Sequence, residues 1–201
     1  MRRLFAILAI AALGGCATVF DDRPPPATVG QVDIARYAGT WFEIARFPNS
    51  FQDGANRRCE DVTATYAPRP DGMLSVVNRC RDTANGGAER VAEGVARSAS
   101  PGSDRLRVSF FWPFFGDYWV IGLDPEYRWA VVGAPGRDYL WILSRTPTMS
   151  AGAYSAALEA ARREGFNVAR LVITPQSAAG SGRAERFERL PRGALGSASR
   201  A

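Results

Sequence analysis

Between residues 39 and 145 the chain alternates short apolar runs with turn-forming residues at near-even spacing. Such a pattern predicts an all-β fold of short antiparallel strands. The clearest run is 105–111, where Leu106, Val108 and Phe110 alternate with Arg107 and Ser109. Seven others read as strands at 41–46, 62–66, 74–80, 89–97, 118–123, 127–132 and 139–144. Arg69-Pro70-Asp71-Gly72, Asp124-Pro125 and Ala134-Pro135-Gly136 mark turns between them. Eight strands in up-and-down order can close on themselves and leave no free edge. After them the period changes. Tyr154, Ala157, Leu158 and Ala161 form one apolar stripe at helical spacing. Ser150 is placed to cap this helix, Arg162 and Arg163 suit its C-terminal dipole, and Gly165 suits its end. One amphipathic helix should lie outside the barrel, with a short ninth strand at 171–173.

Composition narrows the chemistry. The chain has no histidine, so Ser-His-Asp, Cys-His and His-based metal sites are excluded. The net charge of +5 lies in the ends: residues 1–15 carry two arginines and no acid, and 176–201 carry five arginines against two glutamates. Residues 16–175 are therefore neutral, and no basic face for nucleic acid is expected.

The ends have their own logic. Arg2 and Arg3 precede an apolar run, Leu4 to Leu13, too short to span a membrane comfortably. It closes on Leu13-Gly14-Gly15-Cys16, which resembles the lipobox of bacterial lipoproteins. That resemblance implies a signal peptide over 1–15, acylation at Cys16 and, with Ala17 following, sorting to the outer membrane, the domain facing the periplasm. Residues 16–31 contain Pro24-Pro25-Pro26 and read as a stiff spacer, reaching roughly 40 Å. The folded domain is expected over 32–175, and 176–201, rich in Ala, Gly, Ser and Arg, as a disordered basic tail.

Three short motifs carry a family resemblance. Gly39-Thr40-Trp41, Asp124-x-x-Tyr127 and Arg145 after the eighth strand resemble the three signature motifs of the lipocalins. The second departs from the family pattern, having no Thr before Asp124 and carrying Pro125. The stretches 39–52, 106–122 and 139–147 are similar to the bacterial outer-membrane lipocalins and to apolipoprotein D. The resemblance implies an eight-stranded antiparallel up-and-down barrel with one C-terminal helix packed outside. Topology agrees: successive connections alternate between the barrel's ends, so Gly39, Trp41, Asp124 and Arg145 should meet at a closed end. There Arg145 is expected to cover the Trp41 indole in a structural cation–π contact.

The inward rows follow from alternation in part and from resemblance in part. Alternation points Val108 and Phe110 inward with Leu106. Arg145 lying under the barrel puts Tyr139, Trp141 and Leu143 inside. Resemblance to apolipoprotein D adds Tyr66, Asn78, Tyr118 and Val120. Ala92, Gly94 and Ala96 would leave room. These positions describe either an apolar cavity with a few polar groups or a filled core. The function implied is binding, storage or transport of a fatty acid or lysophospholipid in the cell envelope, with no cofactor or metal. Two rivals stand beside it: a lipocalin-fold enzyme using Glu43, Tyr118 or a free Cys, and a structural lipoprotein without ligand. Homodimer formation is left open.

The open end carries two apolar loops, Phe111-Trp112-Pro113-Phe114-Phe115-Gly116 and Phe47-Pro48-Asn49-Ser50-Phe51. A ligand gate, a membrane contact, a partner contact and a folded-back cap are all compatible with them. Finally, Cys59 and Cys80 lie within one residue of facing each other across a hairpin centred on Pro70–Asp71. In an oxidising compartment these two remaining thiols are expected to form a disulfide.

Overall fold

The computed structural model describes residues 23–177. Eight strands form the barrel: β1 Gly39–Arg46, β2 Cys59–Pro68, β3 Leu74–Asp82, β4 Ala88–Ser98, β5 Arg105–Phe111, β6 Phe114–Leu123, β7 Trp129–Gly133 and β8 Leu140–Ser144. Each pairs antiparallel with its sequence neighbour, and β1 closes the circle by pairing with both β8 and β2. A one-turn helix, α1 (Ile34–Tyr37), precedes the barrel; α2 (Ala151–Arg163) and a two-residue strand β9 (Val172–Ile173) follow it. The expected strands are all present, with moved edges. The strand expected from 118 starts at Phe114, so the aromatic connection shrinks to a tight hairpin. Tyr127 sits in the β6–β7 turn at φ 57° instead of opening β7.

Two apolar cores result from strand alternation. The inward face packs Trp41, Tyr66, Val76, Leu106, Val120 and Leu143 around Tyr37 from α1. The outward face of β6, β7, β8 and the end of β1 buries Ile121, Val131 and Ile142 under Tyr154, Ala157, Leu158 and Ala161 of α2. Ser150 caps α2, its side chain accepting the Ala153 N–H at 3.2 Å. Phe166 fixes the helix end, lying so close to Gly133 that a Cβ there would stand 2.5 Å from its ring.

The wall between β1 and β2 is built in two ways. Near the strands' closed end, Gly39–Phe42 pairs with Tyr66–Thr63. Beyond that β2 bulges at Asp61, whose φ is 52°, and β1 takes β9 as its partner instead. The seam left between β1 and β2 is stitched by residues 174–177. Thr174 N–H donates to Ile44 C=O at 3.0 Å, and Asp61 N–H donates to Pro175 C=O at 2.8 Å. Gln176 Nε2 reaches both Glu43 C=O (2.8 Å) and Val62 C=O (3.0 Å). The expected tail boundary is therefore corrected: Gln176 is buried and is part of the wall.

The spacer needs the same correction. Residues 23–32 lie along the barrel. Pro24 C=O accepts from Arg137 at 2.8 Å, Ala27 N–H donates to Glu164 at 2.6 Å, and Val29 N–H donates to Val120 C=O at 3.0 Å. Cys16, the signal segment 1–15 and the tail from 178 lie outside the described residues.

Candidate functional site: a plugged barrel with an open cup

The floor is built first by sequence neighbours and then by distant ones. The Arg145 guanidinium lies 3.7 Å from the centroid of the Trp41 ring. It donates to the backbone carbonyls of Arg36 (2.6 Å), Thr40 (3.0 Å), Tyr37 (3.1 Å) and Tyr127 (3.3 Å). Burial pulls its pKa below the ordinary guanidinium value. Gly39 holds φ +94°, a left-handed conformation other residues resist, with Arg145 Nη1 beside it. Trp41 is fully buried and donates its indole N–H to Tyr37 C=O at 2.8 Å. Asp124 shapes the β6–β7 turn: it accepts from the N–H groups of Glu126 and Arg128, both at 3.1 Å, and from the Arg128 guanidinium at 2.8 Å. The Arg128 side chain holds the Asp124 carboxyl below its usual range. The four residues read from the sequence thus share the closed end. A cavity of about 120 Å³ beside this floor, between α1 and the β2–β3 turn, is smaller than an ordinary ligand site.

Above the floor sits a cluster in which Tyr37 is the member the sequence reading missed. Tyr66 donates its hydroxyl to Tyr118 at 2.9 Å, and Tyr37 and Tyr118 hydroxyls lie 2.7 Å apart. Burial pushes all three phenols up, Tyr66 to about 12. No short-range pattern marks Tyr37, which belongs to a four-residue helix.

Higher still, the inward rows become accessible. On β4 the row runs from buried Ala96 through half-buried Gly94 to exposed Ala92. On β5 it runs from buried Leu106 through half-buried Val108 to Phe110, 42% exposed. On β8 it runs from buried Leu143 to half-buried Trp141, and Tyr139 just before the strand is 39% exposed. Val120 and Tyr66 belong to the packed floor, both buried. The inward face is packed below and, on β4, β5 and β8, partly open to solvent above. Asn78 lies on the same face of β3 as Val76 and Cys80, and its Oδ1 is buried with no hydrogen-bond partner.

A buried polar network the sequence did not announce runs from the β1–β2 loop down to Glu43 on β1. Trp141 Nε1 donates to Gln52 Oε1 at 3.2 Å, and Gln52 Nε2 donates to Glu43 at 2.7 Å. Glu43 also accepts from Arg46 Nη1 (2.7 Å) and Thr174 Oγ1 (2.5 Å). Burial pulls the Arg46 guanidinium down, and Asp53 and Glu43 more than offset it. Phe51 adds an aromatic edge, 6.0 Å from Tyr139, which stacks on Trp141 at 5.7 Å. A Cys59–Cys80 disulfide closes the return of the long loop, with Cα atoms 5.3 Å apart. The register differs from expectation: Cys59 faces Asp82, and the bond is diagonal to Cys80 on the same face. Among the described residues no group of acids or cysteines is placed to hold a metal ion.

A one-barrel fold with Trp41, Asp124 and Arg145 at one end and exposed inward positions at the other matches a known family. Residues 32–176 match the family described as Lipocalin-like domain. This chain is a lipocalin. It is 43% identical over 178 residues to outer membrane lipoprotein Blc of Escherichia coli K12, covering 87% of this chain and 98% of that protein. It is 42% identical over 155 residues to temperature-induced lipocalin-1 of Arabidopsis thaliana, covering 73% of this chain and 80% of the other. Bovine apolipoprotein D is 27% identical over 164 residues, covering 76% and 82%. Among solved structures, the cockroach allergen Per a 4 superposes with a TM-score of 0.60 at 18% identity, over 78% of this lipocalin and 97% of that chain. That likeness speaks for the fold alone.

Proposed function

We propose that this lipocalin is a lipid-anchored protein of the bacterial outer membrane. It faces the periplasm and binds a fatty acid or lysophospholipid for storage or transport. The observation that carries the reading is the gradient of exposure along the inward rows. Apolar positions on β4, β5 and β8 that face inward are nonetheless open to solvent near the rim. Such surface costs free energy in water and favours an acyl chain. Asn78 and the Tyr118 hydroxyl supply a few fixed polar contacts. The kinship with outer membrane lipoprotein Blc supports the location, and the Leu13-Gly14-Gly15-Cys16 motif supports the anchor.

The candidate catalytic groups are engaged elsewhere. Glu43 accepts from Arg46, Gln52 and Thr174. The Tyr118 phenol is driven up by burial, away from proton transfer near neutral pH, and Cys59 and Cys80 are bonded to each other. These engagements favour binding over catalysis. Native mass spectrometry of protein extracted from membranes tests the reading. A single-chain amphiphile bound one to one is expected. Protein that arrives empty and does not change Trp fluorescence with added palmitate or lysophospholipid would overturn it.

A further inference from the structure

We infer that the open end of the barrel docks on the bilayer, mouth towards the lipid, with the β5–β6 hairpin tip inserted. This rests on the lipoprotein reading above. Three observations converge on it. The first is the tip: Phe111, Trp112 and Phe114 are 81%, 77% and 73% exposed, and they stand together at a two-residue turn. Three large rings in water at one point suit an apolar phase, and indole suits its boundary.

The second is the charge behind the tip. Arg97 and Arg107 face each other directly across β4 and β5 on the outward face. A like-charge pair in that position is unfavourable by itself. Asp117, 3.8 Å from Arg107, is the acid opposite them on β6. Arg97 lies over the Phe115 ring at 4.6 Å, its stem along apolar surface. From Phe111 back to Arg107 is about 13 Å along the strand. With the rings at the acyl boundary, both guanidinium groups come to the level of anionic phosphates.

The third is the leader. Residues 23–32 are bonded along the barrel in a fixed direction. Val32 N–H donates to Gly102 C=O in the closed-end β4–β5 turn, and Pro24 C=O accepts from Arg137 in the β7–β8 turn. The β7–β8 turn belongs to the open end, because β8 runs from Trp141, opposite Arg46, to Ser144, opposite Phe42. The chain therefore leaves the domain at the mouth. From Arg23 to Cys16 is seven residues, about 25 Å at full extension. Cys16 therefore lies within that distance of the end that carries the exposed rings.

The test uses acylated full-length protein on vesicles of phosphatidylethanolamine and phosphatidylglycerol brominated along the acyl chains. Trp112 at the tip and Trp129 at the closed-end start of β7 serve as two markers. Quenching is expected, and Trp112→Phe should remove most of it while Trp129→Phe removes none. In a Cys16→Ser background, Phe111→Ser/Phe114→Ser should cut residual vesicle partitioning by about tenfold or more. Protein that sediments with the vesicles but whose quenching survives Trp112→Phe overturns the orientation, and quenching lost with Trp129→Phe shows the opposite one. Protein that does not sediment at all overturns the anchor and the docking together.

Discussion

The two halves of this barrel are built from the same strands by different rules. In the closed half the inward side chains are packed, with one small cavity beside the floor. Trp41, Tyr37, Leu106 and Val120 are almost wholly buried, and Arg145 seals them with bonds to four backbone carbonyls. In the open half the inward rows thin to Gly94 and Ala92, Asn78 keeps an unpaired oxygen, and large rings meet solvent. The packed half carries the burial that stabilises the fold, and the half proposed to take a ligand is the more open one.

The comparison breaks most readily at the floor. Trp41→Ala should lower stability by about 3–5 kcal/mol, the cost of truncating a buried indole, and leave the order of preference among lipids unchanged. Urea unfolding and competition binding read the two halves separately. A variant that unfolds normally but switches ligand would reverse the assignment of the ends.

Removing the disulfide tests the upper wall. Cys59→Ser/Cys80→Ser should lose about 3 kcal/mol for a loop of 21 residues, with hydrogen exchange rising first around the β1–β2 loop. Uniform exchange across the barrel would mean that the halves unfold as one.

A smaller effect is expected from charge placed in the cup. Asn78→Asp should weaken fatty-acid anions by about tenfold through repulsion in a low-dielectric hollow and leave a neutral monoacylglycerol nearly unaffected. Equal loss for both ligands would locate the effect in the fold.

Smallest is the turn at the closed end. Because Arg128 lowers the Asp124 pKa, this carboxylate stabilises the native state above its unfolded value and loses that contribution as pH falls through the folded one. Asp124→Asn should therefore be less stable than the parent near neutrality. The gap should close as pH drops below about 4. A gap that widens with acid would contradict the direction of the shift.

Much of this was legible in the sequence, for a physical reason. Strand 105–111 alternates without interruption, so its limits agree with β5. The capped, striped helix does the same for α2. What escaped depends on contacts distant in sequence. The bulge at Asp61 shifted the pairing that brings Cys59 opposite Asp82, and no local signal encodes it. Pro24-Pro25-Pro26 has the composition of a free spacer, yet the neighbouring backbone finds Arg137, Glu164 and Val120. Tyr37 is drawn into the core by two phenols 29 and 81 positions away. Glu43 and Arg46 occupy strand positions that give no hint of their burial, which Gln52, Asp53 and Thr174 make affordable.

The stitches between β1 and β2 have a consequence for the order in which the molecule is made. Thr174, Pro175 and Gln176 follow all eight barrel strands in the chain. A growing polypeptide halted after β8 holds every strand of the cylinder but lacks the piece that joins Ile44 and Glu43 to Asp61 and Val62. Along that line the two strands stay unjoined until residues 174–176 are in place. The wall thus closes only after every strand is in place, and a chain cut short before Thr174 would lack the bonds that join Ile44 and Glu43 to Asp61 and Val62.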